Sequence, residues 1–224
     1  VTLKPRLHAL LSLGADLLAV EMALGMGWQV AAPLPFGKTL NMAINAQPQT
    51  IDDAAALLEG NGQCSEAAAV SAKRIADVAD RVPCFEFAER GALIQTLFLE
   101  SLKNPKDAGA QQAFAVAASE RAALAGQVMI GQIDMLIAVW DGHSPGPVGG
   151  TRHTIARALE IGVVVLWIDA GQPDDWRLLD NPEALANRWN LPKVDAADVM
   201  LNHLSTLMSR NESETAQQLL DTDK

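Results

Sequence analysis

The feature that most constrains the fold is a pair of uninterrupted apolar segments, residues 135–140 and 163–168, separated by a glycine-rich loop and an amphipathic stretch. Continuous apolar runs are typical of strands that are covered on both faces of a sheet. Thr151 follows the loop and predicts the cap of a helix that ends at Gly162. Strand, loop, helix and strand make a βαβ unit, so we expect two adjacent parallel strands. The sequence therefore predicts an α/β fold, a Rossmann-like parallel sheet flanked by helices.

The rest of the chain adds one strand and several helices to this unit. Gln29–Leu34 is a short apolar run that ends among prolines and is expected to be a buried strand. Gly14-Ala15-Asp16 opens a helix that extends to about Gly25, with Asp16 as its N-cap. Further helices are predicted over residues 51–59, 65–82, 91–129 (interrupted by a turn at 104–107) and about 195–209. We expect one domain over residues 1–210, with an extra helical insertion at about 51–132, and a polar C-terminal tail, 211–224, that frays.

The N-terminal residues allow two interpretations. Leu3, Leu7, Leu10 and Leu11 lie at helical spacing, which predicts an amphipathic helix over residues 3–11. Such a helix would run directly into the Gly14 turn, where a Rossmann-like fold has a strand. Either the chain lacks segments that a complete fold would have, or residues 7–12 form a strand.

Charge and composition exclude several classes of function. The formal net charge is −10, which argues against nucleic-acid polymers, because these are bound through many Lys and Arg contacts to phosphate. No run of basic residues indicates an anionic membrane surface, and no segment is long and apolar enough to span a bilayer. The N-terminal sequence has no pattern of a signal peptide, so we expect a cytoplasmic protein.

The cysteines and histidines show no metal-binding pattern. Cys64 and Cys84 are not at the spacing of metal ligands; they allow one disulfide, but two free thiols are expected in a reducing compartment. His143 and His153 are close in sequence but have no accompanying Cys or carboxylate pattern, and are expected to be loop and surface residues. No metal site is predicted.

The strongest candidate site is the loop from Asp141 to Thr151. In parallel sheets, ligands bind beyond the carboxyl ends of the strands, where loops meet helix N-termini. Gly149 and Gly150 would let the backbone approach a phosphate or a sugar, with the amides at Thr151 directed at it. Arg152 would pair with an anion from the first turn. The alternative is a tight turn with a threonine cap and no ligand.

Two other helix starts are weaker candidates. Asp16 would bind ribose hydroxyl groups, or it is an ordinary cap. In the Pro35–Lys38 segment, Phe36 and Gly37 are candidate ligand-binding residues, with Phe36 stacking on a base and Lys38 meeting a phosphate. Alternatively, Phe36 is part of the core and Lys38 is solvated.

Asp141 and Gly142, which follow the strand at 135–140, complete the candidate ligand-binding set, and Asp141 is also the candidate catalytic residue.

Four segments together resemble the SLOG superfamily of Rossmann-like proteins, which groups the DNA-processing Smf/DprA proteins with the LONELY GUY phosphoribohydrolases. They are Leu13–Asp16, Leu34–Gly37, Ile137–Gly142 and Gly149–Thr151. The resemblance implies binding of nucleotides or nucleotide-derived signals at these loops, and in some members cleavage of N-glycosidic bonds. The phosphoribohydrolases carry a motif P-G-G-x-G-T-x-x-E, whose glutamate is implicated in catalysis. Thr154 stands at that position here, and a threonine cannot serve as the carboxylate.

Three functional hypotheses follow. The first is a non-catalytic sensor or carrier for a small nucleotide-derived molecule. The second is a hydrolase or transferase acting on an N-glycosidic or phosphoribosyl bond, like the phosphoribohydrolases and nucleoside deoxyribosyltransferases, with Asp141 or Asp16 supplying the carboxylate. The third is an interaction scaffold, in which the helices at 51–82 and 91–132 form a homodimer or partner surface. No specific cofactor is indicated.

Overall fold

The computed structural model describes residues 5–60, 63–144, 146–203, 205–207 and 209. Their contacts divide the chain into two compact units, one with residues up to 133 and 146–157, the other with residues 134–144 and from 158 onward. Both units combine helices with a three-stranded sheet, which confirms the α/β class. The single domain over 1–210 with a helical insertion stays a prediction. The predicted polar tail, 211–224, lies outside the described residues.

The first unit contains a parallel sheet with the order β1-β2-β3, formed by β1 (Arg6–His8), β2 (Gln29–Leu34) and β3 (Cys84–Glu86). The strand predicted at Gln29–Leu34 is confirmed with both of its ends. It is the middle strand, and all of its residues after Gln29 are buried. This burial explains why the segment is apolar throughout.

The helix predicted over residues 3–11 is wrong, because Arg6–His8 form β1. Leu7, Ala9 and Leu11 alternate inward into the core, with Ala9 and Leu11 buried. Leucines at 7 and 11 fit a period of two as well as a helical period, so the spacing did not discriminate. Pairing with β1 also gives the backbone groups along one edge of β2 their hydrogen-bond partners, which a helix at this position would not supply.

Six helices, all formed by residues before 133, accompany this sheet in the first unit. They are α1 (Ala15–Gly25), α2 (Lys38–Asn45), α3 (Ile51–Glu59), α4 (Glu66–Ala79), α5 (Gly91–Lys103) and α6 (Ala108–Ile130). The predicted helices at 15–25, 51–59, 65–82 and 91–129 with its turn are confirmed, whereas α2 was not predicted. Many of the buried residues belong to one of two clusters, one between the sheet, α1 and α4, the other among α2 to α6.

The second unit contains a mixed sheet with the order β4-β5-β6. Its strands are β4 (Met135–Trp140), β5 (Val164–Asp169) and β6 (Gln172–Leu179). β4 and β5 pair in parallel, and the helix that joins them along the chain, α7 (Thr151–Glu160), begins at Thr151, which confirms the predicted βαβ unit. β6 returns antiparallel to β5 and was not predicted. A short helix α8 (Pro182–Ala186), a 3₁₀ turn at Arg188–Asn190 and a helix beginning at residue 196 follow.

The expectation that β4 is covered on both faces is wrong. Its side chains alternate between buried and exposed: Leu136, Ala138 and Trp140 are buried, whereas Ile137 and Val139 are 49% and 39% exposed. A continuous apolar run indicates a strand, but it does not show that both of its faces are covered.

Candidate functional site

Gly149, in the loop before α7, lies against the backbone of α6. Its φ of +85° is in the left-handed region, and a Cβ atom built on it would lie 2.6 Å from the Ser119 carbonyl oxygen and 2.7 Å from the Ala123 nitrogen. Only glycine fits this approach. The predicted reason for the glycine was a ligand, but the group that its backbone approaches here is a neighbouring helix.

Thr151 is the first residue of α7, not its cap. The Thr154 amide donates to the Gly150 carbonyl oxygen at 3.0 Å, which places Gly150 at the cap position, and the Gly150 amide closes a turn onto Pro147. The amides of residues 151–153 have no partner within the helix. No acidic side chain lies in this first turn, and Thr151 and Arg152 are exposed. The positive end of the α7 dipole is therefore not neutralised by a carboxylate in the first turn.

Arg121 of α6 was not predicted as a site residue, although it holds two strand ends together. It is buried, and it donates to the Pro35 carbonyl oxygen after β2 at 3.4 Å and to the Phe87 carbonyl oxygen after β3 at 2.5 Å. The same part of α6 contacts Gly149. Thus α6 joins the 35–37 loop and the glycine loop, two segments that the sequence marked separately. A lone arginine in an alanine-rich helix was the only sequence signal.

Phe36 is 5% exposed and belongs to the cluster among α2 to α6. Of the two interpretations of Phe36, the structure shows the core one, so the ring is not presented to a base. Lys38 forms an exposed ion pair with Asp80 at 2.6 Å, a contact that contributes little in water.

The start of α2 is occupied by the protein's own carboxylate. The Lys38 amide donates to Glu86 Oε2 at 2.8 Å, and a Cβ atom on Gly37 would lie 3.5 Å from the same oxygen. A carboxylate at a helix N-terminus satisfies its amides and its dipole. An anion at Gly37 would have to displace Glu86, so this helix start is a poor ligand site.

Asp16 lies in the first turn of α1, but it is not the N-cap. Gly14 occupies the cap position without a side-chain hydrogen bond, and Asp16 accepts a hydrogen bond of 2.7 Å from the Ser12 hydroxyl. Its negative charge stabilises the helix start, as expected for an acidic residue there. No described contact joins it to the glycine loop.

Asp141, at the end of β4 in the second unit, closes a turn on itself. Its Oδ1 accepts from the amides of His143 and Ser144, both at 2.9 Å, and its Oδ2 accepts from the Ser144 hydroxyl at 2.5 Å. These hydrogen bonds, those of Ser144 first, lower the pKa of Asp141 to about 2. The carboxylate is therefore ionised at neutral pH and engaged on both oxygens, which makes it a poor proton donor.

Gly142 is buried against tryptophan rings. With φ at +75°, a Cβ atom on it would lie 2.9 Å from Cζ2 of Trp167 and closer still to the ring of Trp189. Arg188 donates to the Gly142 carbonyl oxygen through Nε at 2.9 Å and through Nη2, and its guanidinium lies 4.8 Å from the ring centre of Trp140. This glycine is explained by side-chain packing within the second unit.

Cys64 and Cys84 are separate thiols. His143 is exposed, and its ring stacks on Trp189 with 4.9 Å between ring centres. His153 is half-buried in the first turn of α7. Among the described residues, no three His, Cys, Asp or Glu side chains are grouped as metal ligands would be.

Comparison with known proteins adds no relative. The chain matches no family model, no curated protein and no solved structure. The SLOG resemblance therefore depends on the short motifs alone. Within the part of the chain that the structure describes, no helix has the length and apolarity needed to cross a membrane.

Proposed function

We propose that this chain binds a small nucleotide-derived ligand as a sensor or carrier, with a phosphate of the ligand at the start of α7. The observation that carries the proposal is the exposed first turn of this helix, where Thr151 and Arg152 follow a glycine turn with no acidic neighbour in the turn. Helix amides and the helix dipole favour an anion at such a position. A Rossmann-like, SLOG-related ancestry of the two sheets is part of the same proposal.

The other helix starts that the sequence marked are less suitable for an anion. The first turn of α1 carries Asp16, and the first amide of α2 donates to Glu86. Either carboxylate would repel a phosphate. Arg152 adds a positive charge at α7, and its guanidinium geometry suits two oxygens of one phosphate.

The hydrolase alternative is less well supported. Thr154 has no carboxylate, and both oxygens of Asp141 are engaged within its own turn. Cleavage of an N-glycosidic bond develops positive charge on the ribose and requires stabilisation of the leaving base. A binding function needs neither, so the same residues fit a sensor or carrier better.

A thermal-shift screen tests the proposal. Nucleoside monophosphates, cyclic dinucleotides and ADP-ribose are compared with the matching nucleosides, because a ligand bound only to the folded state raises the melting temperature. We expect a rise with at least one phosphorylated compound, lost in Arg152→Gln and kept in the control Arg81→Gln, which removes an exposed charge next to α4. A screen in which no phosphorylated compound stabilises the protein would contradict the proposal.

A further inference from the structure

A cleft of about 290 Å³ lies within the first unit, between the parallel sheet and the C-terminal end of α6. Each of the three strands contributes to it, with His8 from β1, Pro33 from β2 and Phe85 from β3. The remaining lining residues are Glu86, Phe87, Val128, Met129 and Gln132. Ligand pockets are typically about 300–1,000 Å³, so this cleft is at the lower end of their size range.

The walls of the cleft are apolar and include an exposed aromatic ring. Phe85 lines the cleft and is 59% exposed, whereas Met129 on the α6 side is 8% exposed. Pro33 is buried and pairs with Phe85 in the sheet register. Leaving a phenylalanine ring in water forgoes the free energy of burying it, and a flat ligand placed against the ring would recover it.

Two neutral polar side chains, His8 and Gln132, belong to the lining. His8 is half-buried and its imidazole makes no hydrogen bond within the described part of the chain. Burial, together with the neighbouring charge of Arg6, lowers the pKa of His8, so the ring is neutral at pH 7 and offers one donor and one acceptor. The amide of Gln132 offers both as well. Glu86 also lines the cleft; its Oε2 accepts from the Lys38 amide, and a carboxylate has a second oxygen that accepts from a ligand N–H.

We propose that this cleft binds a neutral, planar heteroaromatic molecule of nucleobase size, stacked on Phe85, with its polar edge at His8 and Gln132. An apolar wall next to paired donors and acceptors matches the flat face and the edge of such a ring. An acyl chain would leave both polar side chains without partners, and the volume is too small for a whole dinucleotide. The proposal does not depend on the anion site at α7.

Adenine and cytosine are the probes that test the cleft. Binding is measured by calorimetry and by NMR of the Met129 methyl group, which is buried in the cleft wall. We expect the methyl signal to shift and Phe85→Ala to weaken binding about five-fold or more, the usual effect of removing a stacking ring. His8→Ala should also weaken it. Val70→Ala on α4, equally exposed at 61%, is the matched control and should have no effect.

Three results would overturn the proposal. The first is that neither base binds up to its solubility limit. The second is that a base binds equally well to the wild type, Phe85→Ala and His8→Ala. The third is that binding is lost in Arg152→Gln and kept in Phe85→Ala, which would place the base at α7. If no phosphorylated compound binds at the start of α7 but adenine still binds at Phe85, this proposal stands. The two sites are therefore tested separately.

Discussion

The hydroxyl of Thr154 donates to the carbonyl oxygen of Gly150 at 3.2 Å, one turn back at the cap of α7. In the phosphoribohydrolases that the glycine loop resembles, the corresponding position holds a glutamate. Here the side chain is bonded within α7, and Thr154 Oγ1 would lie 3.7 Å from a Cβ atom built on Gly126 of α6. The position therefore contributes to helix contact and has no acid–base group.

The first prediction is that the protein releases no base from nucleoside monophosphates above background. Neither Thr154 nor the engaged Asp141 supplies the acid catalysis that typically contributes about 10²- to 10⁴-fold. A base-release assay on the wild type, Asp141→Asn and Thr154→Glu checks this. Robust release by the wild type that Asp141→Asn abolishes would make the protein an enzyme with a relocated carboxylate and contradict the sensor function.

The second prediction separates backbone conformation from close approach at Gly149. Gly149→Ala should lower the free energy of unfolding by about 2–4 kcal/mol, because the new Cβ meets the α6 backbone and the left-handed conformation is strained. Gly146→Ala is the control: Gly146 also has a positive φ, +62°, but open space around it. Denaturant unfolding measures both. Equal losses in the two variants would contradict the close approach.

The third prediction distinguishes a core role from a ligand role for Phe36. Phe36→Ala should lower the free energy of unfolding by about 3–5 kcal/mol, as for other buried phenylalanines. Phe85→Ala, at an exposed position, should cost much less. Denaturant unfolding of both variants is the measurement. A Phe36→Ala protein with wild-type stability and weaker nucleotide binding would restore the stacking interpretation.

The fourth prediction concerns the buried ion pair of the second unit. Asp175 accepts from Arg177 Nε at 2.9 Å and from Nη2 at 2.8 Å, and both side chains are buried. Asp175→Asn leaves the guanidinium without its charged partner, which should lower the free energy of unfolding by about 3–5 kcal/mol. Asp174→Asn at the exposed neighbour is the control. If both variants unfold alike, the pair does not stabilise the unit.

The fifth prediction is a loss of stability in acid. The hydrogen bond from Arg177, helped by that from Lys193 and opposed by burial, leaves the pKa of Asp175 at about 2, below its ordinary 3.8. A carboxyl whose pKa is lowered on folding stabilises the protein above about pH 3.8 and loses that contribution as the pH falls towards 2. Unfolding measured between pH 5 and 2 should show this decline, with a smaller slope in Asp175→Asn. An unchanged slope would contradict it.

The sequence predicted the elements that one local pattern determines. The apolar runs predicted as strands at 135–140 and 163–168 correspond to β4 and β5, which pair in parallel, because a glycine loop and one helix between two short apolar runs are typical of a βαβ unit. The prediction for the N-terminal residues was wrong because leucines at 7 and 11 fit the period of a strand as well as that of a helix. β6 was missed because Asp175 and Arg177 face inward, which removes the apolar alternation that indicates a strand.

The candidate site was predicted only in part, because its glycines are required by contacts with residues that are distant in sequence. Gly149 is needed where α6 approaches, and Gly142 where Trp167 and Trp189 meet it. Neither partner is near in sequence, so a glycine required by packing has the same local pattern as one required by a ligand. Arg121 was missed for the same reason, since its acceptors are carbonyl groups more than thirty residues away.

The most direct test of phosphate binding is an NMR titration of the isotope-labelled protein with adenosine monophosphate, followed at the backbone amides of residues 150–153. Amides that donate to a phosphate change their chemical shifts in proportion to occupancy, so we expect saturable shifts at Thr151, Arg152 and His153. These shifts should also occur with inorganic phosphate and weaken in Arg152→Gln. If the nucleotide shifts only signals elsewhere, or none at all, the ligand site at the start of α7 is wrong.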